Sequence, residues 1–167
     1  PPVDSGATLR LARATPRWQL VAILAGLAML GPFAIDTYMP SFRAIGTSLS
    51  ATPLQVQQTL SVYLLAFAFM LLFHGALSDA FGRRSIILWS LVAFLIGSIG
   101  CALSFNIETL WLFRAVQGGA AGAGMVVGRA MVRDLFHGHE AQRTMSSITL
   151  VFGLAPAIAP IIGGWLQ

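Results

Sequence analysis

The chain has 167 residues, of which 56% are apolar, 17 are glycine and only 10% are charged. Soluble domains carry about 25% charged residues, and disordered segments are poor in apolar residues. The composition therefore excludes both an ordinary soluble enzyme domain and a disordered chain. The net charge of +4 comes from ten arginines against six acids. These arginines lie in short groups between apolar runs, so we expect no nucleic-acid partner.

Five apolar segments are each long enough to cross a bilayer core of about 30 Å as a helix that rises 1.5 Å per residue. We call them spans 1 to 5, and they cover approximately residues 18–39, 59–77, 85–103, 110–132 and 144–166. The predicted fold class is therefore an all-α membrane protein, in which residues 18–167 form a transmembrane bundle in contact with the lipid bilayer. Residues 1–17 precede the bundle as a separate segment.

The distribution of arginine predicts how the bundle is oriented. The arginines that flank the spans on one side are Arg10, Arg13, Arg17, Arg83, Arg84, Arg133 and Arg143. Arg43 alone lies on the other side. Because short cytoplasmic loops carry the excess of basic residues, we expect residues 1–17 to be cytoplasmic.

Asp36, Arg114 and Arg129 are charged residues inside the predicted spans, where each charge costs a few kcal/mol unless it is paired or hydrated. Asp36 lies about 5 Å and Arg114 about 6 Å inside the outer ends of their spans, at 1.5 Å per residue. We therefore expect them to face each other as a pair that protonation of Asp36 would break. The alternative is that Asp36 and Arg114 form a static brace at the helix ends, with their side chains reaching to the membrane interface. Arg129 could reach the inner surface with its long side chain, and Gln117 and Tyr38 are candidates for lining the cavity beside the pair.

Glycine and proline recur in three spans. Glycines spaced four residues apart, which allow helices to approach closely in lipid, occur in span 4 at Gly118, Gly122, Gly124 and Gly128. In span 5, two prolines precede two glycines, at Pro156, Pro160, Gly163 and Gly164. Span 1 contains Gly31 and Pro32. Because proline removes backbone hydrogen bonds, spans 1 and 5 are predicted to bend beside a cavity.

The turn between spans 2 and 3 has the sequence GALSDAFGRR, residues 75–84. It resembles the loop signature of the major facilitator superfamily between its second and third helices. Gly75 would permit close packing and Gly82 a tight turn.

The charged residues of the same turn predict a latch at the cytoplasmic face. It would consist of Asp79, Arg83 and Arg84, and Asp134 after span 4 would complete it by pairing with Arg83.

Three further stretches, residues 31–40, 112–118 and 155–164, resemble motifs of the drug/proton antiporter group of that superfamily. The closest resemblance is to the Bcr/CflA drug-resistance transporters. Arg114 matches the arginine that the family associates with proton coupling, and residues 155–164 match its helix 5 motif. The sequence departs from the family pattern at Ala80, Ala155 and Ala159.

The resemblance implies the N-terminal fragment of a twelve-helix transporter that stops before its sixth helix. It further implies an exporter of drugs or other small, lipophilic molecules across the inner membrane by alternating access. Protons would be the coupling ion, with no other cofactor and no metal. The partner would be the C-terminal half of the same transporter.

Three other functions are weaker alternatives. A transporter of a small metabolite could have the same fold, and a membrane scaffold could have any five-helix chain. An intramembrane hydrolase would need Ser61 and His74 as nucleophile and base. These residues lie on different turns of one helix, too far apart to contact each other, so we expect no enzyme.

Overall fold

A computed structural model describes residues 16–165, with the side chains of Arg17 and Ala155 left aside. The predictions for Arg10 and Arg13, and the predicted end of span 5 at residue 166, lie outside the described residues. In the described part the regular elements are helices: α1 (Arg17–Tyr38), a 3-10 helix (Met39–Ser41), α2 (Phe42–Ser48), α3 (Pro53–Phe81), α4 (Arg83–Ala102), α5 (Ile107–Ala121), α6 (Ala123–Leu135) and α7 (Gly138–Trp165).

These helices form five segments that are long and apolar enough to cross a membrane. Span 1 consists of α1 and its continuation through α2, span 4 consists of α5 and α6, and α3, α4 and α7 are spans 2, 3 and 5. The mean hydropathy of their most apolar windows runs from 1.2 to 2.1.

Span 2 begins at Pro53, earlier than the predicted Thr59, because of a capping motif. The Thr52 side chain accepts a hydrogen bond from the Gln55 amide, and the Gln55 side chain accepts one from the Thr52 amide. This reciprocal pairing satisfies two backbone donors that a helix start leaves free. The stretch 40–58, which lies between the predicted spans 1 and 2, is largely helical, because span 1 also continues through α2.

Span 4 is the centre of the bundle. Its apolar window is 56% buried, against 11% for spans 2 and 3 and 6% for span 5. Spans 1 and 5 pack on one side of it, and spans 2 and 3 pack on the other. Large apolar side chains such as Leu65, Leu72 and Ile161 point outwards and are at least 70% exposed. Exposed apolar surface on this scale requires lipid or protein around it, as in a multi-pass membrane protein.

Two glycines of span 4 bring the central helices into backbone contact. A Cβ atom on Gly118 would overlap the carbonyl oxygen of Tyr63, and one on Gly124 would overlap that of Leu27. Gly128, by contrast, makes only an ordinary contact, 3.8 Å from a Leu24 methyl group. Close helix packing in lipid depends on such small residues. Only some of the regularly spaced glycines of span 4 therefore make close contacts with the backbone of another helix.

Both prolines of span 5 lie inside α7, which continues past them to Trp165. Pro32 likewise lies inside α1. These prolines therefore do not end their helices.

Candidate functional site

The bundle has two polar centres, one towards each end. The arginine-rich end carries the turn between spans 2 and 3 together with the end of α6. The opposite end carries the end of α1 and the start of α5. We call the group of Tyr38, Tyr63, Ser98, Arg114 and Gln117, near the opposite end, the arginine centre.

Arg114 is only 2% exposed and lies between two aromatic rings. Its guanidinium carbon is 3.7 Å from the centre of the Tyr38 ring on span 1 and 4.8 Å from that of Tyr63 on span 2. Both distances are within the range of a cation–π interaction, which is strongest where water is excluded. The two rings therefore partly replace the water that this cation has lost.

Arg114 is connected to span 3 through Gln117, which lies on its own helix. Its Nη1 donates to Oε1 of Gln117 at 2.7 Å, and Nε2 of Gln117 donates to Oγ of Ser98 at 2.8 Å. Nε and Nη2 of Arg114 are buried and have no hydrogen-bond acceptor among the described residues. Buried charged groups are normally fully hydrogen-bonded, so this guanidinium has donor capacity that the structure leaves unused.

The two tyrosines also fasten spans 1 and 2 together. Thr59 donates its hydroxyl proton to the Val56 carbonyl at 2.6 Å, so the Tyr38 hydroxyl, 2.8 Å from Thr59 Oγ1, is the donor in that bond. The Tyr63 hydroxyl donates to the Gly31 carbonyl at 3.0 Å. The arginine centre consequently joins spans 1, 2, 3 and 4.

Asp36 does not pair with Arg114, and the predicted facing pair is corrected. The ion pairs found within residues 16–165 lie at the arginine-rich end. Asp36 is half-buried on the same helix as Tyr38. Two residues turn an α-helix by about 200°, so a helix that directs Tyr38 at Arg114 directs Asp36 away from it. The equal depth of Asp36 and Arg114 in the membrane does not determine which face of its helix each residue occupies.

At the arginine-rich end, Arg83 links the turn between spans 2 and 3 to the end of span 4. Its Nη1 lies 2.7 Å from Oδ1 of Asp79, and its Nε lies 3.3 Å from Oδ2 of Asp134. Nη1 also donates to Oγ of Ser78 at 2.6 Å. We call Ser78, Asp79, Arg83 and Asp134 the latch.

The remaining residues that the sequence analysis selected in this turn, Gly75, Gly82 and Arg84, lie outside the latch. Gly82 has a φ of 88°, a backbone conformation that favours glycine, so it makes the tight turn that the sequence predicted. Arg84 is exposed and forms none of the ion pairs found in the described part of the chain. A Cβ atom on Gly75 would lie at an ordinary 3.8 Å from Val126, so this position does not require glycine for close packing.

The proline- and glycine-rich motif of span 5 meets span 1 next to Asp36. Gly163 is buried, and a Cβ atom there would overlap the carbonyl oxygen of Thr37. Pro156, Pro160 and Gly164 are exposed. One member of this motif therefore makes a close backbone contact within the described bundle.

Residues 21–167 match the family model described as Major Facilitator Superfamily. The chain belongs to this superfamily. Among curated relatives, it is 43% identical to an uncharacterized MFS-type transporter, YdgK, of Bacillus subtilis, over 89% of this chain and 37% of the relative. It is 42% identical to the Bicyclomycin resistance protein homolog of Haemophilus influenzae, over 84% of this chain and 35% of the relative. It is 29% identical to Multidrug resistance protein D of Escherichia coli, over 89% of this chain and 38% of the relative.

The chain thus spans a little over a third of these relatives. Together with the five spans, the family match identifies residues 21–165 as a helical part of a multi-pass member of the superfamily. The first five helices of the superfamily fold, predicted from the sequence, are confirmed.

Sequence reasoning did not select Tyr63, Thr59 and Ser98 as members of the site. Each is a hydroxyl-bearing residue in a strongly apolar span, a pattern that often marks hydrogen bonding between helices in lipid. The sequence shows that these hydroxyls are present, but it does not show on which face of its helix each one lies.

Proposed function

We propose that the complete protein is a proton-coupled exporter of lipophilic drugs in the inner membrane, with its N-terminus in the cytoplasm. Within the superfamily we assign it to the Bcr/CflA type of drug/proton antiporter. The supporting similarity is to relatives whose names state bicyclomycin resistance and multidrug resistance. The C-terminal half of the transporter would complete the substrate site near the membrane midplane, as in transporters built from repeats.

The arginine centre is the observation that carries this proposal. A buried cation with two unused donors is stable only if the surrounding contacts hold it. Those contacts come from Tyr38 and Tyr63 on spans 1 and 2 and from Gln117, which is itself hydrogen-bonded to span 3. Intramembrane charges of this kind commonly mark proton or ion pathways. A movement of any of these spans would offer Arg114 a different set of acceptors.

Span 1 provides the connection to the proton. Asp36 would bind the proton, and Tyr38 is two residues away on the same helix. Because a helix moves as a rigid element, any shift that changes the surroundings of Asp36 also moves the Tyr38 ring relative to Arg114. In this mechanism protonation of Asp36 acts on Arg114 through the position of span 1, without a direct ion pair.

The other two motifs would hold conformational states. The Gly163 contact with the Thr37 carbonyl ties span 5 to span 1 beside Asp36. The latch would stabilise the outward-facing state by holding the cytoplasmic ends of spans 2, 3 and 4 together. Its carboxylates are partly exposed, so its ion pairs can open at modest cost.

The test is drug-dependent proton release from acidified inside-out vesicles that contain the complete protein. We expect a lipophilic drug to release protons with the wild type and to release none with Asp36→Asn. Glu108→Gln is the matched control, because Glu108 is an exposed acid at the start of α5 and its removal should leave the release unchanged.

Two results would contradict the proposal. Proton release by Asp36→Asn equal to that of the wild type would remove Asp36 from proton coupling. If the wild type fails to respond across a broad drug panel, a metabolite carrier or a scaffold becomes the better assignment.

A further inference from the structure

A cavity of about 140 Å³ lies between spans 1, 4 and 5. Its lining includes Leu24, Ala28, Gly128, Arg129, Met145 and Phe152. The cavity is in the arginine-rich half of the bundle, since its span 4 residues lie on α6. It is separate from the arginine centre, with which it shares no residue.

The cavity exists because span 4 presents backbone where other helices present side chains. Gly124 and Gly128 form part of its wall, and span 5 contributes side chains from Met145 to Phe152. Span 3 approaches spans 1 and 4 through Leu91 and Phe94, which lie near Leu27 and Ala123. Leu24 and Ala28 line the cavity from span 1, and span 3 contributes no residue to its lining.

Arg129 is the only charged residue of its lining and is exposed. No acid among residues 16–165 forms an ion pair with it. Asp134, the acid nearest to it in sequence, is engaged by Arg83 instead. Arg133, one helical turn further on, is also exposed but does not line the cavity. An unneutralised guanidinium inside a membrane span is costly, which favours an anionic group at this position.

We propose that this cavity binds the anionic end of an amphiphilic molecule. A carboxylate, phosphate or sulfonate accepts hydrogen bonds from Arg129, and the attached alkyl chain lies against Leu24, Met145 and Phe152. Arginine suits this role because its planar guanidinium can donate two parallel hydrogen bonds to such a group. Two sources would supply this chemistry, a phospholipid headgroup and a transported anion. As a transported anion, the ligand would extend the substrate class of the proposed exporter, and to that extent the inference rests on the proposed function.

Binding is measured without transport, so that the two proposals fail independently. The probe is dansylaminoundecanoic acid, which carries a carboxylate on a slender alkyl chain, and its uncharged amide is the reference ligand. Both are titrated by dansyl fluorescence into the complete protein in phosphatidylcholine nanodiscs. We expect the acid to bind about tenfold more tightly than the amide, which corresponds to one well-formed charged contact.

Three variants locate the anion. Arg129→Gln should remove the preference for the acid, Arg129→Lys should keep part of it, and Arg133→Gln should leave it unchanged because Arg133 is not part of the cavity lining. Equal binding of acid and amide by the wild type would overturn the inference. An unchanged preference in Arg129→Gln would overturn it too. If Arg129→Gln lowers the unfolding temperature and the wild type shows no preference, Arg129 pairs with an acid elsewhere in the transporter.

A second titration identifies the source of the anion. Nanodiscs that contain phosphatidylglycerol are compared with those of phosphatidylcholine alone. Weaker binding of the acid in the presence of phosphatidylglycerol identifies a lipid headgroup as the occupant, and unchanged binding identifies a free anion. Proton release by Asp36→Asn equal to that of the wild type, which would contradict the proposed function, would leave both titrations unaffected.

Discussion

The two halves of this bundle are held together in different ways. Towards the opposite end, helices touch through their backbones, at Gly118 against Tyr63 and at Gly163 against Thr37, and a buried arginine joins four spans. In the arginine-rich half, spans 4 and 5 part around a cavity, and partly exposed ion pairs hold the end of span 4 to the neighbouring turn. The first half is joined by these backbone contacts and a buried cation. The second has a backbone contact, Gly124 against Leu27, and is closed at its end by ion pairs that break at modest cost.

The contrast is sharpest between two arginines. Arg83 is 28% exposed at its side chain and has two carboxylate partners, whereas Arg114 is 2% exposed and has none among the described residues. Exposed pairs contribute little to stability, and a buried unpaired cation opposes it. Because Arg114 is buried without a carboxylate partner among the described residues, it is the stronger functional candidate of the two.

The largest effect is expected from Arg114→Met. Removing a desolvated cation relieves a desolvation penalty of several kcal/mol, so the unfolding free energy should equal or exceed that of the wild type. The loss of the stack on Tyr38 and Tyr63, worth about 2 kcal/mol, offsets part of this gain. Drug-dependent proton release should be abolished. Thermal unfolding of the purified complete protein and the vesicle assay measure the two quantities.

Arg43→Met is the control for this variant, because Arg43 is exposed on α2 and its replacement should change neither measurement. A clear fall in the unfolding temperature of Arg114→Met would show that the arginine centre holds the bundle together. The contrast between the two arginines would then be lost.

The next largest effect is expected from Gly118→Ala, which tests the backbone contacts. The added methyl group would overlap the Tyr63 carbonyl, and such overpacking costs about 1 to 3 kcal/mol. The adjacent Gly119→Ala is the control. Its methyl group would meet only a flexible Met70 side chain at 3.4 Å, so it should be neutral, or slightly stabilising because alanine favours helix. Equal unfolding temperatures for both variants would show that spans 2 and 4 are not closely packed.

The smallest effect is expected from Asp134→Asn in the latch. It removes the ion pair at 3.3 Å and leaves the bonds from Arg83 to Asp79 and Ser78. The unfolding free energy should fall by about 1 kcal/mol or less, and the difference should shrink as salt screens the exposed charges. A large, salt-independent loss would mean that this half of the bundle is as firmly held as the other.

Much of the fold could be predicted from the sequence, because crossing lipid requires long apolar helices whatever they pack against. The turn at Gly82 was predictable as well, since glycine there provides a conformation that other residues avoid. The start of span 2 was harder to predict from the sequence. The pairing of Thr52 with Gln55 that begins α3 is a polar motif, and hydropathy does not register it.

The arginine centre could be predicted in part. Arg114, Tyr38 and Gln117 were selected because charge and polarity are conspicuous in an apolar span, but the partner expected for Arg114 was Asp36. Charge complementarity and depth favoured that pair. Neither specifies the direction in which a helix presents a side chain, and each residue turns the helix by about 100°.

The sequence by itself determined the membrane environment, the five spans, the resemblance to the superfamily and the candidate charged residues, because these follow from composition and local motifs. Only the tertiary structure decided which faces of the helices meet. It placed aromatic rings on Arg114, aimed Asp36 elsewhere and left Arg129 beside an open cavity. The physical reason is that helix rotation is fixed by contacts between side chains and backbones that are distant in sequence, and the hydropathy of a single helix does not contain that information.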